Sequence, residues 1–431
     1  MSDNNSQHKE PSKVDQAAQI FVEEVTKPSA KDQSIWRRMG KALLIPALAI
    51  LTGLLISGLF IIVTSEEVYA AFGQSIGAGL REAIATAVNA YVSLFIGAFG
   101  DPVKIINALA SGEGDAIRRA FNPFFESLVA STPFIFAGLS VALGFQSGLF
   151  NIGAEGQLFI GAVFAAFVGY AFDLPAIIHL PLAIFAGMLG GAIWGFIPGW
   201  LKAKTGGHEV INTIMMNYIA FRLTEFLLRG PMMRPDSFNP VSPTILDSAK
   251  LPRFFGAPIR FHLGFFLALL VAWLVWWFLY KTRWGFDFRS VGANPNASRY
   301  AGMSIVVTIV AVMSLSGALA GLAGTNEVLG LNYNLALAFS SGYGFDAIAI
   351  ALLGRSHPLG VVLASLLFGV LRNGATKMQL SAGIPIDIIS VLQAMILLFI
   401  ATPAIIRTIY RLPKPGVGEE EEVFVRGWGG D

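Results

Sequence analysis

The chain has no cysteine, which removes disulfides, Cys-ligated zinc, iron–sulfur clusters and thiol catalysis together. Histidine is nearly as scarce: His8, His179, His208, His262 and His357 are scattered and match no metal-ligand spacing. Charge is also short, at 13% Asp, Glu, Lys and Arg, where a soluble domain carries about 25%. A water-soluble enzyme is thereby excluded. Lys and Arg total 30 against 28 Asp and Glu, a net charge of +2, so no basic field invites nucleic acid. Nor is there a G-x-x-x-x-G-K-[ST] loop to cradle phosphates, so this chain is not itself an ATPase. Two things are plentiful. Hydrophobic residues make up 54% of the chain, and its 46 glycines suit membrane helices that pack closely and break locally. The fold class read from this balance is all-α, a polytopic membrane bundle.

Residues 1–41 mix both signs of charge and read as a solvated, disordered cytoplasmic arm. The transmembrane domain then runs over 42–406, with 407–431 as a cytoplasmic tail whose acidic run Glu419–Glu422 solvates it. Ala42–Val63 is free of charge for 22 residues, about 33 Å of helix and enough to cross the hydrocarbon core. It reads as a retained anchor. Further candidate spans are Phe124–Phe145, Gln157–Phe172, Ile178–Trp200, Glu209–Leu228, Leu263–Tyr280, Ser304–Ala323, Phe345–Gly354, Leu359–Leu371 and Ile384–Ile406. Phe345–Gly354 reaches only about 15 Å and must belong to a broken or re-entrant segment. The expected count is eight to ten spans. Ala83–Phe99, ending at Gly100-Asp101-Pro102, is amphipathic and is expected to lie along the interface. Lys and Arg in short loops favour a cytoplasmic N-terminus. That orientation puts the Lys281–Gly302 loop inside, and outside it puts the proline-rich loop Gly230–His262 together with Arg372 and Lys377.

Polar groups at membrane depth are costly and ask for a reason. Gly148–Gln157 sets Asn151, Glu155 and Gln157 among three glycines between two apolar runs, a pattern for a helix break that lines a pathway. The same residues would equally cap and hydrogen-bond a buried turn. A second broken stretch, Ser341–Asp346 followed by Gly354–Gly360, lies in the other half, as repeated transporter architectures place such breaks. Ala137–Gly144 loosely echoes Gly317–Gly324. On the helix from Glu209, Asn217 lies deepest on a polar face and could touch a solute or a neighbouring helix, and Glu209 itself fits a helix N-terminus near Lys202 and Lys204. In the Lys281–Gly302 loop, Asn294 precedes a proline and would cap a short helix. Such a helix between two spans is a natural docking surface.

Five ordered motifs carry a family resemblance: Gly148–Gln157 (GLFNIGAEGQ), Glu209–Ala220 (EVINTIMMNYIA), Gly285–Gly302 (GFDFRSVGANPNASRYAG), Gly317–Gly324 (GALAGLAG) and Gly344–Gly360 (GFDAIAIALLGRSHPLG). From about Phe124 to Thr402 the chain resembles the permease subunits of ATP-binding-cassette importers, in the group of ribose and branched-chain amino acid permeases, and within it the nucleoside-uptake branch. His208 departs from the short polar residue expected before Glu-Val-Ile. The resemblance implies a subunit of the bacterial cytoplasmic (inner) membrane that pairs with a second permease. It implies two nucleotide-binding ATPase subunits below, an extracytoplasmic substrate-binding protein above, ATP bound only on the partner and no cofactor on this chain. By the same resemblance Gly285, Gly292, Asn294, Ala297 and Gly302 form the loop that meets the ATPase. Asn151, Glu155, Gln157, Asn217 and Asp346 are the candidates for the pathway or its helix breaks. The alternatives are a permease for a simple sugar, or a secondary transporter driven by an ion gradient in which Glu155, Asp346 or Glu327 titrates.

Overall fold

The computed structural model describes residues 35–235, 237–384 and 387–412. The expected arm falls mostly on residues 1–34 and the acidic run on Glu419–Glu422, both outside the described residues; residues 35–41 are already helical. Sixteen α-helices follow in order among the described residues: α1 (Ile35–Thr64), α2 (Glu66–Gln74), α3 (Ile76–Phe99), α4 (Pro102–Ser111), α5 (Gly114–Gln146), α6 (Ala154–Ala171), α7 (Ala176–Thr205), α8 (Glu209–Arg229), α9 (Gly264–Lys281), α10 (Arg283–Ala293), α11 (Pro295–Tyr300), α12 (Ile305–Asn326), α13 (Tyr343–Leu353), α14 (Pro358–Ala382), α15 (Asp387–Ala401) and α16 (Pro403–Ile409). Among the described residues, β structure is limited to two isolated bridges, Val241 with Ala336 and Arg253 with His262.

Eight helical stretches among the described residues are long and apolar enough to cross a membrane, or nine if the bent pair α15–α16 counts as one span. Three expectations change. Ala83–Phe99 does not stand as a short interfacial helix: it is the larger part of the 24-residue α3, which with α4 makes one of the eight. Glu209–Leu228 is helical as α8 but is not among the eight, because Asn212, Asn217, Arg222 and Glu225 make it more polar than the others. Arg372 and Lys377 lie within α14 and not in a loop, since the helix begun at Pro358 continues to Ala382. Tyr343–Leu353 is, as its length required, a short apolar helix of 11 residues.

Packing explains the glycine content. Gly161 on α6, Gly187 and Gly191 on α7 and Gly317 and Gly321 on α12 face one another, and a Cβ on Gly191 would sit 2.8 Å from Gly321 Cα. Only backbone-to-backbone contact fits there, the close approach by which membrane helices associate. Around this seam α5, α6, α12 and α14 bury Phe134, Phe136, Leu139, Leu143, Leu158 and Leu322. The outer faces stay apolar, with Leu55, Ile84, Ile177 and Phe185 more than half exposed, as contact with lipid tails demands.

The bundle has two distinct ends. At one, Gln146 at the foot of α5 donates to Ser356 O (3.2 Å), close to Tyr280 and the α10–α11 loop. At the other, the segment 230–263 is stitched to the bundle by backbone bonds. Ser242 N–H donates to Leu335 O (2.9 Å), Ile245 N–H to Tyr333 O (2.8 Å), Leu246 N–H to Gly169 O (3.0 Å) and Leu251 N–H to Leu329 O (2.9 Å). Arg260 adds a two-pronged grip on Glu126 of α5, with Nε donating at 3.0 Å to Oε1, which holds the Arg260 proton more firmly than usual.

Candidate functional site: two helix breaks joined by a carboxylate

The first break separates α5 from α6. Gly148 takes a positive φ of 69°, and Leu149 N–H returns to Gly144 O (2.9 Å), so the chain reverses without leaving the bundle. Freed polar groups at this depth must find protein partners, and the sequence supplies them. Asn151, fully buried, donates through Nδ2 to Gln157 Oε1 (2.8 Å) and Ser316 Oγ (2.8 Å), while its Oδ1 accepts from Gly153 N–H (3.0 Å) and Gln157 Nε2 (3.2 Å). Ser316 in turn donates to Ser140 O (2.8 Å), which ties α12 to α5 between the two echoing small-residue runs. Asn217 of α8 spans the same turn: Oδ1 accepts from Gly156 N–H (2.8 Å) and Nδ2 donates to Ile152 O (3.0 Å). Asn151, Gln157 and Asn217 therefore meet in one buried hub that holds four helices together, and all three are at most 2% exposed.

The second break runs from the π-helical turn Glu327–Asn332 to α13. Glu155 joins it to the first. From the opening turn of α6 its carboxylate accepts from Ser340 Oγ (2.5 Å) and from the backbone N–H of Gly344 (2.5 Å), in the first turn of α13. A carboxylate there satisfies an orphan helix donor and meets the positive end of the helix dipole. Asp346, half a turn further on, has a different setting. Its carboxylate lies 3.6 Å from Arg372, and both side chains are about one-third exposed, at 34% and 29%. The Arg372 guanidinium also stacks over the Tyr343 ring at 4.9 Å and over Phe134 at 5.7 Å. Arg372 stands about 15 Å or more of helix from either end of α14. A partly exposed ion pair at that depth belongs against water or another protein surface, because lipid would strip its solvation.

The loop expected to dock a partner has the capped helix that its sequence implied. Asn294 Oδ1 accepts from Ala297 N–H (3.0 Å), Pro295 opens α11, and Gly302 closes the segment with φ of 83°. Gly285 lets α10 fold back on α9, where a Cβ would sit 2.6 Å from Leu279 Cα. Tyr300 stands 95% exposed beside this surface. Gly292 is not on the open side of the loop: it packs on the first helix break. Sequence reasoning passed over Ser316, Ser340 and the role of Arg372. Serines carry no pattern of their own, and Arg372 looked like the end of a span.

Residues 124–401 match the family described as "Branched-chain amino acid transport system / permease component". The chain is 40% identical to the guanosine ABC transporter permease protein NupP of Bacillus subtilis, over 87% of this chain and 97% of that one. It is 36% identical to the nucleoside ABC transporter permease protein NupB of Lactococcus lactis, over 67% and 81%, and 40% identical to a glucose ABC transporter permease protein of Haloferax volcanii, over 64% and 75%. No solved structure matches. These relatives are transport components rather than enzymes, and the match spans both helix breaks, the buried hub and the α10–α11 loop: the chain is a multi-pass membrane protein belonging to the branched-chain amino acid transport system permease family.

Proposed function

We propose that this chain forms the nucleoside-conducting half of an ATP-binding-cassette importer in the bacterial cytoplasmic membrane. It pairs with a second permease, is driven by ATPase subunits that bind the ATP, and accepts solute from an extracytoplasmic binding protein. What carries the substrate class is the likeness to a guanosine permease over nearly the whole of both chains, supported by the nucleoside permease of Lactococcus. The physical setting is compatible. Nucleosides are flat and uncharged, and the exposed face around Phe345, Asp346 and Arg372 offers an aromatic ring beside a neutralised ion pair. In this reading the Asn294-capped helix α11 with Ala297, Gly302 and the exposed Tyr300 meets the ATPase, which makes that end of the bundle cytoplasmic and the 230–263 loop extracytoplasmic.

Work is supplied if ATP binds two conformations of the assembly with different affinity, and the permease needs no covalent chemistry. The test is uptake of labelled guanosine by cells with and without this permease, challenged with excess uridine, ribose or leucine. Permease-dependent uptake blocked by the nucleoside alone is the expected result. Competition by ribose or leucine, or guanosine uptake indifferent to the deletion, would overturn the substrate assignment.

A further inference from the structure

The turn between α5 and α6 has glycine backbone contacts on both sides. On one side lies α10. A Cβ on Gly292 would sit 2.6 Å from the Ser147 carbonyl carbon and 2.7 Å from Gln146 O, and a Cβ on Gly148 would sit 3.0 Å from Gly292 Cα. On the other side lies α13, where a Cβ on Gly344 would sit 2.5 Å from Glu155 Cα and 2.8 Å from the Ala154 carbonyl carbon. At neither contact does a flexible side chain intervene to absorb movement, and close-packed interiors transmit displacement rather than soften it. Between the contacts the turn is stiff. Asn151 binds Gly153 and Gln157, Asn217 binds Ile152 and Gly156, and Glu155 holds Gly344 N–H and Ser340 Oγ.

We propose that residues 146–157 are the transmission piece of the importer: displacement of the α10–α11 loop enters through Gly292 on Gly148 and leaves through Glu155 on Gly344. The output is a shift of α13, the short helix that carries Asp346 opposite Arg372. Gly292, Gly148, Gly344 and Glu155 are positioning residues, acting on the path through α13 and not by contact with solute. The inference rests on the importer reading above, and its test separates the two.

The complete importer, with its partner subunits and binding protein, is reconstituted in vesicles, and guanosine uptake and ATP hydrolysis are measured together. Gly292→Ala, Gly344→Ala and Glu155→Leu should keep ATP hydrolysis within about 2-fold of wild type. Guanosine moved per ATP should fall at least 10-fold. The double variant Gly292→Ala/Gly344→Ala should be no worse than the worse single one, as elements in series require. An unchanged transport-to-hydrolysis ratio in the variants overturns the relay. A wild-type importer that hydrolyses ATP but moves no guanosine overturns the substrate reading instead. Because the chain has no cysteine of its own to compete for label, a second measurement leaves the glycine contacts and Glu155 unaltered: spin labels on Phe345→Cys and Phe185→Cys, both at exposed positions of α13 and α7, in a labelled importer that still hydrolyses ATP. Their separation should change when ATP is trapped in the complex. A fixed separation overturns the relay.

Discussion

Removing Asn151 gives the most direct measure of what the buried hub contributes. Asn151→Ala deletes four hydrogen bonds at a site with no exposure. Ser316 keeps its bond to Ser140 O, so it loses little. Gly153 N–H and both amide atoms of Gln157 have no such second partner at hand. An unsatisfied buried polar group costs about 1–3 kcal/mol, yet interhelical hydrogen bonds within membranes average nearer 0.6 kcal/mol, because stranded groups find other partners. Gln157 can turn and recover part of its loss, whereas the Gly153 N–H is fixed by the backbone. The expected destabilisation is therefore about 2–5 kcal/mol. It would be read as a shift in reversible detergent unfolding of the purified permease. The cycle Asn151→Ala, Gln157→Ala and the double variant should show a coupling of at least about 1 kcal/mol. A loss below about 0.5 kcal/mol, or simple additivity, would refute the view that this pair holds the turn.

The Asp346–Arg372 pair should reveal itself by charge balance. Asp346→Asn or Arg372→Gln alone leaves a charge at mid-depth and should cut uptake about 10-fold or more, while exchanging the two residues should restore part of it; an exchange as inactive as the singles would rule out a simple pair. At the opposite end of the acidity scale, His262 has its proton affinity lowered to about 4 by burial, with Arg253 and Arg260 adding to the effect. Its neutral ring is thus favoured by the fold, so the stability it contributes is full above about pH 6.5 and is lost as pH falls towards 4, up to about 3 kcal/mol in all. Thermal unfolding of wild type and His262→Gln between pH 7.5 and 4.5 should converge as the pH drops, and parallel curves would dismiss the linkage.

Much of the architecture was legible because membrane solvation is unforgiving. Unbroken apolar runs give the spans, and the 10-residue run Phe345–Gly354, too short to cross alone, had to belong to a broken or re-entrant segment and is found in a short helix. Glycines and amides in Gly148–Gln157 announced a break. What they do there was not legible, because their partners lie far along the chain: Ser316 is 165 residues from Asn151, and Gly344 is 189 from Glu155. Periodicity placed Asn217 on a polar face without saying whether that face meets water or a helix, and the fold turns it inward to the Ile152 carbonyl. Arg372 was misread for a related reason. A charge normally ends an apolar run, but here Asp346 and the Tyr343 ring receive it and the helix continues. The Gly292–Gly148 contact lies deeper still, since two glycines 144 positions apart share no pattern in sequence.

Glu155, one of the three carboxylates with Asp346 and Glu327 that an ion-driven carrier could titrate, offers a test between two kinds of transporter. In an ion-driven carrier, a membrane carboxylate must bind and release a proton or cation in each cycle, so its oxygens must become accessible. Glu155 is 2% exposed, and each of its oxygens accepts a hydrogen bond, one from a serine and one from the first turn of α13. The helix end supplies the partial positive charge that such a group needs, without a mobile cation. Glu155→Gln keeps one oxygen for the Gly344 N–H, and its amide can donate to the Ser340 hydroxyl. Capping then weakens while its geometry survives. Guanosine uptake by this variant should fall by a few-fold at every pH tested, leaving the shape of the pH profile as in wild type. Glu155→Leu, which has no acceptor, should lose far more. A profile that flattens or shifts in Glu155→Gln would mean that the carboxyl titrates during transport, and the static cap would have to be abandoned in favour of ion coupling.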